Sequence, residues 1–142
     1  MEKLAELQLP NILGAEKEAI RETVVIAEKM GLSPDRIEDL KTALAEACIN
    51  AIEHGNKFDE NKKVRVTVFA DDSKLQVIVH DEGEGIDPEK IPKKRTRENG
   101  FPCRRGYGVF LIANLVNEMS FDFKPGRGND VKMVVHLNNN NQ

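Results

Sequence analysis

The sequence predicts an α+β fold, a two-layer sandwich in which three helices cover one face of a mixed, mostly antiparallel sheet. Two pairs of predicted strand segments, the first pair rich in β-branched residues, are each separated by a short turn sequence, as in antiparallel hairpins. Elsewhere, apolar residues recur at helical spacing. The length of 142 residues fits a single domain over residues 1–142 that buries an ordinary core.

The first half of the chain predicts one strand followed by two helices. Residues 4–9 alternate weakly in hydropathy, which suits an edge strand. Residues 15–30 and 34–54 repeat apolar side chains at the spacing of a helix face. Ser33 provides an N-cap for the second helix, and Gly55 provides its stop signal.

The second half of the chain predicts two hairpins around an irregular segment. Residues 64–69 and 75–80 are β-branched runs joined by the turn formers Asp71 and Asp72. Residues 81–108 lose apolar periodicity and are rich in glycine, proline and charge, which is typical of a functional or mobile loop. The remaining elements are a helix and two strands, predicted at residues 109–116, 119–123 and 131–137.

Composition and charge argue against several classes of protein. The net charge is −3, whereas a general nucleic-acid binder carries a basic excess. The N-terminus lacks an apolar signal core, and no run approaches the ~18 apolar residues of a membrane span. Cys48 and Cys103 are predicted to be reduced thiols, so we expect a cytoplasmic protein.

One face of the second helix carries candidate catalytic and metal-binding side chains. Glu46, Asn50 and Glu53 fall on one stripe of an ideal helix, opposite the apolar stripe that would face the core. Asn50 offers a neutral oxygen to Mg²⁺, which prefers oxygen ligands. Glu46, one turn earlier, could accept the proton of an attacking hydroxyl in phosphoryl transfer. The alternative is an ordinary amphipathic helix with a solvated polar face.

A first glycine turn follows the predicted strand at residues 75–80. Asp81 comes directly after this strand, so its carboxylate could accept a hydrogen bond from the exocyclic amine of adenine. Gly83 and Gly85 have no Cβ and would let the backbone approach the flat base closely. The alternative is a plain acidic turn.

A second glycine segment directly precedes the predicted helix at residues 109–116. Gly106 and Gly108 would let backbone N–H groups at the helix N-terminus point at an anion. Arg105 could pair with phosphate oxygens. Residues 93–105 include six basic side chains, which suits either a solvated run or a lid that closes over phosphates. The alternative is a flexible surface loop.

Taken together, these three segments resemble the nucleotide-binding boxes of the ATPase superfamily shared by gyrase, histidine kinases and mismatch-repair MutL. The segments read Glu46-x-x-x-Asn50-Ala51-x-x-His54, then Asp81-x-Gly83-x-Gly85, then Gly106-x-Gly108. The likeness covers about residues 7–137. Within the superfamily, the chain is most similar to the small stand-alone branch of anti-sigma factor serine kinases.

The resemblance implies a histidine kinase-like ATPase fold and an ATP-dependent protein serine kinase that uses Mg²⁺. It further implies a homodimer that binds a sigma factor and phosphorylates a serine of an anti-sigma-factor antagonist, without direct contact with nucleic acid or membrane. Glu46 would be the catalytic base, and Asn50 would coordinate Mg²⁺. The implied nucleotide-binding residues are Asn50, Asp81, Gly83, Gly85, Arg105, Gly106, Tyr107, Gly108 and Val109.

The chain departs from the family pattern at two places. Tyr107 stands between the second pair of glycines, where the family often has a small or basic residue. Asn129 and Asp130 stand in the last hairpin, where the family usually has a threonine that supports an adenine-binding water. Two other functions stay open: a nucleotide-gated binding module that transfers no phosphate, and a detached histidine-kinase catalytic domain that phosphorylates a histidine in trans.

Overall fold

The computed structural model describes residues 1–83, 111–124 and 126–137. Its strands are β1 (Glu2–Leu9), β2 (Val64–Ala70), β3 (Lys74–Asp81), β4 (Glu118–Lys124) and β5 (Gly128–His136). The helices α1 (Glu16–Lys29) and α2 (Pro34–Asn50) lie between β1 and β2, and the described part of a third helix, α3, covers residues 111–115. A π-helical segment, Ala51–Gly55, continues α2 without a break.

The strands form one five-stranded sheet in the order β1–β2–β3–β5–β4. Every strand pairing in the described ranges is antiparallel, so the sheet there is wholly antiparallel and not mixed. The β2–β3 turn closes where predicted, because the Asp71 carboxylate accepts hydrogen bonds from the backbone N–H groups of Ser73 and Lys74. The predicted α+β sandwich is therefore confirmed.

Alternation along the strands places the core on the helix side of the sheet. Leu75, Val77 and Val79 of β3 are almost completely buried, whereas the residues between them are half-buried on the opposite face. The apolar stripe predicted for the second helix packs into the same core. Its members are Leu40, Leu44, Ala47, Cys48 and Ala51, all of them buried.

The second helix begins where the sequence predicts and ends differently. The Ser33 hydroxyl oxygen accepts a hydrogen bond from the backbone N–H of Arg36 at 3.3 Å, as an N-cap does. An α-helix as far as His54 is wrong, because α2 ends at Asn50 and the next turn is π-helical. This wider turn, in which the N–H of Asn56 donates to the carbonyl of Ala51, lets the following residues reach the sheet. None of the helices in the described ranges has the length and apolar character needed to cross a bilayer.

Cys48 is a free thiol buried in α2, as the sequence predicts. Burial raises the pKa of this thiol to about 12, so the sulfur stays protonated at neutral pH and is a poor nucleophile. Cys48 therefore belongs to the core. Cys103, the other predicted thiol, lies outside the described residues.

The substitution Leu44→Ala should lower the free energy of unfolding by about 3 kcal/mol, because it leaves a cavity between helices and sheet. Denaturant unfolding followed by circular dichroism measures this loss. Leu13→Ala is the matched control, since Leu13 is 53% exposed, and its effect should stay within about 0.5 kcal/mol. Equal losses in the two variants would contradict this position of the core.

Candidate functional site

Strand β3 ends in a buried carboxylate. Asp81 is only 5% exposed, and it continues the alternation that buries Leu75, Val77 and Val79, so its side chain lies on the helix side of the sheet. Burying a charged group is costly unless hydrogen bonds or an opposite charge compensate. A carboxylate in this position therefore marks a candidate binding site.

Two hydrogen bonds compensate for this burial, and both reach the same oxygen. Oδ1 of Asp81 accepts from the backbone N–H of Gly83 at 2.8 Å and from Nδ2 of Asn129 at 2.9 Å. Burial raises the pKa of the Asp81 carboxyl, while these two donors and nearby His80 oppose that rise. Within residues 1–83, 111–124 and 126–137, Oδ2 has no hydrogen-bond donor. This second oxygen is therefore the one that a ligand could use.

Three glycines allow neighbouring backbone segments to close around Asp81. A Cβ at Gly55 would overlap the Asp81 carboxylate, and a Cβ at Gly83 would overlap the carbonyl group of Gly55. Gly128 has a φ of +92°, and a Cβ there would overlap the carbonyl oxygen of Asp81. Because only glycine permits these approaches, the π segment, the end of β3 and the start of β5 meet at one point.

Asn56, which directly follows the π segment, fixes the backbone beside Asp81. Its Oδ1 accepts a hydrogen bond from the backbone N–H of Glu82 at 2.8 Å. Its Nδ2 donates to the carbonyl oxygen of Lys63 at 3.0 Å and to Oδ1 of Asn11 at 3.1 Å. Asn56 is buried, so this one amide ties the helix end, the β1–α1 loop and the strand end together.

Helix α2 carries the predicted catalytic and metal-binding side chains towards this point. Glu46 and Asn50 are half-buried and lie one turn apart, and Asn50 is the last α-helical residue. The π segment then runs from Ala51 to Gly55, where it packs against the end of β3. Glu53, predicted on the same α-helical stripe, lies in the π segment instead. Such turns within helices are frequent at functional sites.

The described residues contain four of the predicted site residues. Asp81 and Gly83 are hydrogen-bonded to each other, and Glu46 and Asn50 lie on the adjoining helix. The other six lie outside the described residues, so their roles stay predictions. These are Gly85, Arg105, Gly106, Tyr107, Gly108 and Val109.

Sequence reasoning missed part of the frame that holds Asp81. It predicts Gly55 only as a helix stop, and it gives Asn56 no role. It places Gly128 between the strands predicted at residues 119–123 and 131–137, whereas Gly128 is the first residue of β5 and packs on the Asp81 backbone. The sequence gives one local signal for this frame: Gly55 and Asn56 directly follow the predicted helix that carries Glu46 and Asn50. Their contacts depend on tertiary packing, which spacing along the chain does not give.

A protein family and several known proteins match this chain in sequence. A family model described as histidine kinase-like ATPase domain matches residues 9–135. The serine-protein kinase RsbW of Bacillus subtilis is 33% identical over 118 residues, which are 80% of this chain and 72% of that protein. The anti-sigma F factor of a Thermoanaerobacter species is 32% identical over 142 residues, which are 96% of this chain and 97% of that protein.

A solved structure agrees with the architecture. The crystal structure of the RsbU and RsbW domains of Rv1364c from Mycobacterium tuberculosis superposes with a TM-score of 0.66 at 19% identity. The superposition covers 94% of this chain and 33% of that longer chain. At this identity the likeness concerns the fold alone, and it supports the helix and sheet arrangement described above.

The substitution Asn56→Ala should lower the free energy of unfolding by about 3 kcal/mol, because it leaves several buried hydrogen-bonding groups without a partner. Thermal and denaturant unfolding measure the loss. Asn61→Ala removes the same side chain from an exposed position and should cost less than about 0.5 kcal/mol. If Asn56→Ala unfolds like the wild type, this amide does not hold the strand end.

Proposed function

We infer the function of this chain from the family to which it belongs, the histidine kinase-like ATPase domain family. We propose that the chain is an ATP-dependent protein serine kinase that acts as an anti-sigma factor. It binds a sigma factor and transfers the γ-phosphoryl group of ATP to a serine of an anti-sigma-factor antagonist. The names of its relatives, a serine-protein kinase and an anti-sigma F factor, support the two halves of this proposal.

The Asp81 carboxylate is the single observation that carries the nucleotide part of the proposal. Its Oδ1 is occupied by two protein donors, and its Oδ2 has none within the described ranges. The exocyclic amine of adenine is a donor that can satisfy Oδ2. Gly55 has no Cβ that would overlap the carboxylate, so no side chain at that position competes with a ligand for it. A purine with a carbonyl at that position would place two acceptors against each other.

Mg²⁺ bound through Asn50 is a further part of the proposal. The described residues contain no group of three or more His, Cys, Asp or Glu side chains that could hold a metal by themselves. This agrees with Mg²⁺, which is usually held by one or two protein oxygens together with substrate phosphates and water. The amide oxygen of Asn50, at the end of α2, would be such a ligand. When bound, the ion would neutralise charge on the phosphates.

We propose Glu46 as the group that accepts the proton of the substrate serine. The serine oxygen bonds to the γ-phosphorus while the bond from that phosphorus to the β,γ-bridging oxygen breaks, which gives phosphoserine and ADP. Glu46 takes up the proton that the hydroxyl loses. Its half-buried position, one turn before Asn50 on the same helix, supports this role.

The phosphate end of the site and the assembly belong to the same proposal. Arg105 would pair with phosphate oxygens, and Gly106 and Gly108 would present backbone N–H groups to them. The chain would act as a homodimer in the cytoplasm. Contact with its protein partners would regulate transcription without direct binding to nucleic acid, in agreement with a net charge of −3.

Asp81→Asn should abolish nucleotide recognition. At a concentration of about one hundred times Kd, Mg-ATP should raise the Tm of the wild type by roughly 8 °C, and GTP should not. In Asp81→Asn the ATP-dependent shift should fall below about 2 °C, because the amide replaces the charged acceptor. Asp72→Asn, the same change at an exposed turn, should keep the full shift. An undiminished shift in Asp81→Asn would remove this residue from the site.

Glu46→Ala should lose phosphoryl transfer while its ATP-dependent Tm shift stays within about 2 °C of the wild type. Transfer is measured as acid-stable label from γ-labelled ATP on an antagonist protein, and the loss should be about a hundredfold or more. Glu38→Ala removes an exposed carboxylate from the same helix and should transfer at the wild-type rate. Label that is lost in acid would instead indicate phosphohistidine. Tight ATP binding without any label would favour a nucleotide-gated binding module.

A further inference from the structure

Asn129 is the only described side chain that donates a hydrogen bond to the Asp81 carboxylate, the other donor being the Gly83 backbone. Asp81 on β3 and Asn129 on β5 are direct cross-strand partners, and both are buried, Asp81 at 5% exposure and Asn129 at 3%. An ionised carboxylate only accepts hydrogen bonds, so the atom of Asn129 that faces it is the amide nitrogen. This pairing is therefore a charge-assisted hydrogen bond inside the protein.

The bond distinguishes the two oxygens of Asp81. Oδ1 receives the Asn129 amide from one side and the Gly83 N–H from the chain that follows. The carboxylate also packs against Gly55, where a Cβ would lie 2.4 Å from Oδ2 and 2.7 Å from Oδ1. With its orientation set in this way, the carboxylate presents Oδ2 to a ligand.

We propose that Asn129 is a positioning residue for purine selection: its amide holds Oδ1 of the Asp81 carboxylate and so turns Oδ2 towards the exocyclic amine of adenine. The inference rests on the proposed nucleotide site and extends it to a residue on another strand. Asn129 itself does not need to touch the base. It acts through Asp81, which would make the contact.

The charge state of Asp81 decides which purine the site accepts. A charged carboxylate accepts from the amine of adenine and faces the carbonyl of guanine as a second acceptor. A protonated carboxyl could instead donate to that carbonyl, and selection between the two bases would weaken. Burial favours the protonated form and the Asn129 amide favours the charged form, so this hydrogen bond opposes the loss of selectivity.

Other charged groups surround Asp81 on the elements packed against it. His80 is adjacent on β3 and favours the charged form, whereas Asp130 on β5 opposes it. Glu82 follows Asp81, and its carboxylate accepts from the N–H of Lys63 at 2.7 Å. Glu53 and His54 lie in the π segment. Asn129→Leu leaves these charged groups in place, so a rise in the Asp81 pKa would show that the Asn129 side-chain amide favours the charged carboxylate.

The test compares the wild-type chain of residues 1–142 with Asn129→Leu, which keeps the branched shape of asparagine and removes its N–H donors. Carboxyl ¹³C NMR without nucleotide follows the titration of Asp81. Fluorescent ATP and GTP analogues give Kd between pH 5 and pH 8. Asn61→Leu makes the same change at an exposed site and serves as control. If Asn129→Leu does not fold, Asn129→Ala removes the amide without apolar bulk and is measured in the same way.

In Asn129→Leu we expect the pKa of Asp81 to rise above that of the wild type, because a donor to the charged carboxylate is lost. ATP should bind about tenfold more weakly at neutral pH, because the orientation of the carboxylate is no longer fixed. ATP binding should be lost on acidification at a higher pH than in the wild type, and the preference for ATP over GTP should narrow. A merely structural effect would weaken both nucleotides equally and leave the pH profile in place.

The results for the wild type and for Asn129→Leu separate a failure of the Asn129 inference from a failure of the proposed function. If the wild type binds ATP, and Asn129→Leu has the same Asp81 titration or the same ATP-to-GTP ratio at every pH, the inference is overturned and the proposed function stands. A wild-type protein that binds neither nucleotide overturns the proposed function, and the selection role falls with it.

Discussion

The candidate site depends on the close approach of three backbone segments to one buried carboxylate. Gly55, Gly83 and Gly128 come from a helix end, a strand end and a strand start, and each lies where a Cβ would overlap its neighbour. These segments are far apart in the sequence. The pairing of β3 with β5 and the packing of the π segment on the sheet bring them together. The site is therefore a product of the whole fold, and substitutions that loosen α2 against the sheet should also reach Asp81.

The energetic balance at Asp81 explains why the local hydrogen bonds are so specific. Burial raises the pKa of the Asp81 carboxyl and so favours its protonated form, and hydrogen bonds from the Gly83 backbone and the Asn129 amide act against this. Full compensation at both oxygens would satisfy the group but leave it nothing to offer a ligand. In the described residues the donors are concentrated on Oδ1. These donors stabilise the charged carboxylate and, under the proposed function, leave Oδ2 as the acceptor for the ligand.

The sequence predicted the architecture well because its signals are local. Helical spacing, the Ser33 cap and the Asp71 turn each act over a few residues, and all appear in the structure. The change to a π turn after Asn50 was not predictable, because no local propensity separates it from a further α turn; the fit of Gly55 to the strand end decides it. Asp81 was recognisable as a candidate from its place after a strand. The amide of Asn56 and the approach of Gly128 are long-range contacts, which no spacing along the chain reveals.

The register between β3 and β5 links the stability of the sheet to the chemistry of the site. In this register Asp81 pairs with Asn129 on the buried face, and His80 pairs with Asp130 on the open face, with 2.6 Å between Nδ1 and Oδ1. A slip of one residue would bring Asp130 to the buried face opposite Asp81 and set two carboxylates against each other. It would also remove the Asn129 donor from Oδ1 of Asp81 and separate His80 from Asp130. Asn129 on the buried face and Asp130 on the open face therefore favour the same register. In that register Asp81 has a hydrogen-bond donor for its charged carboxylate.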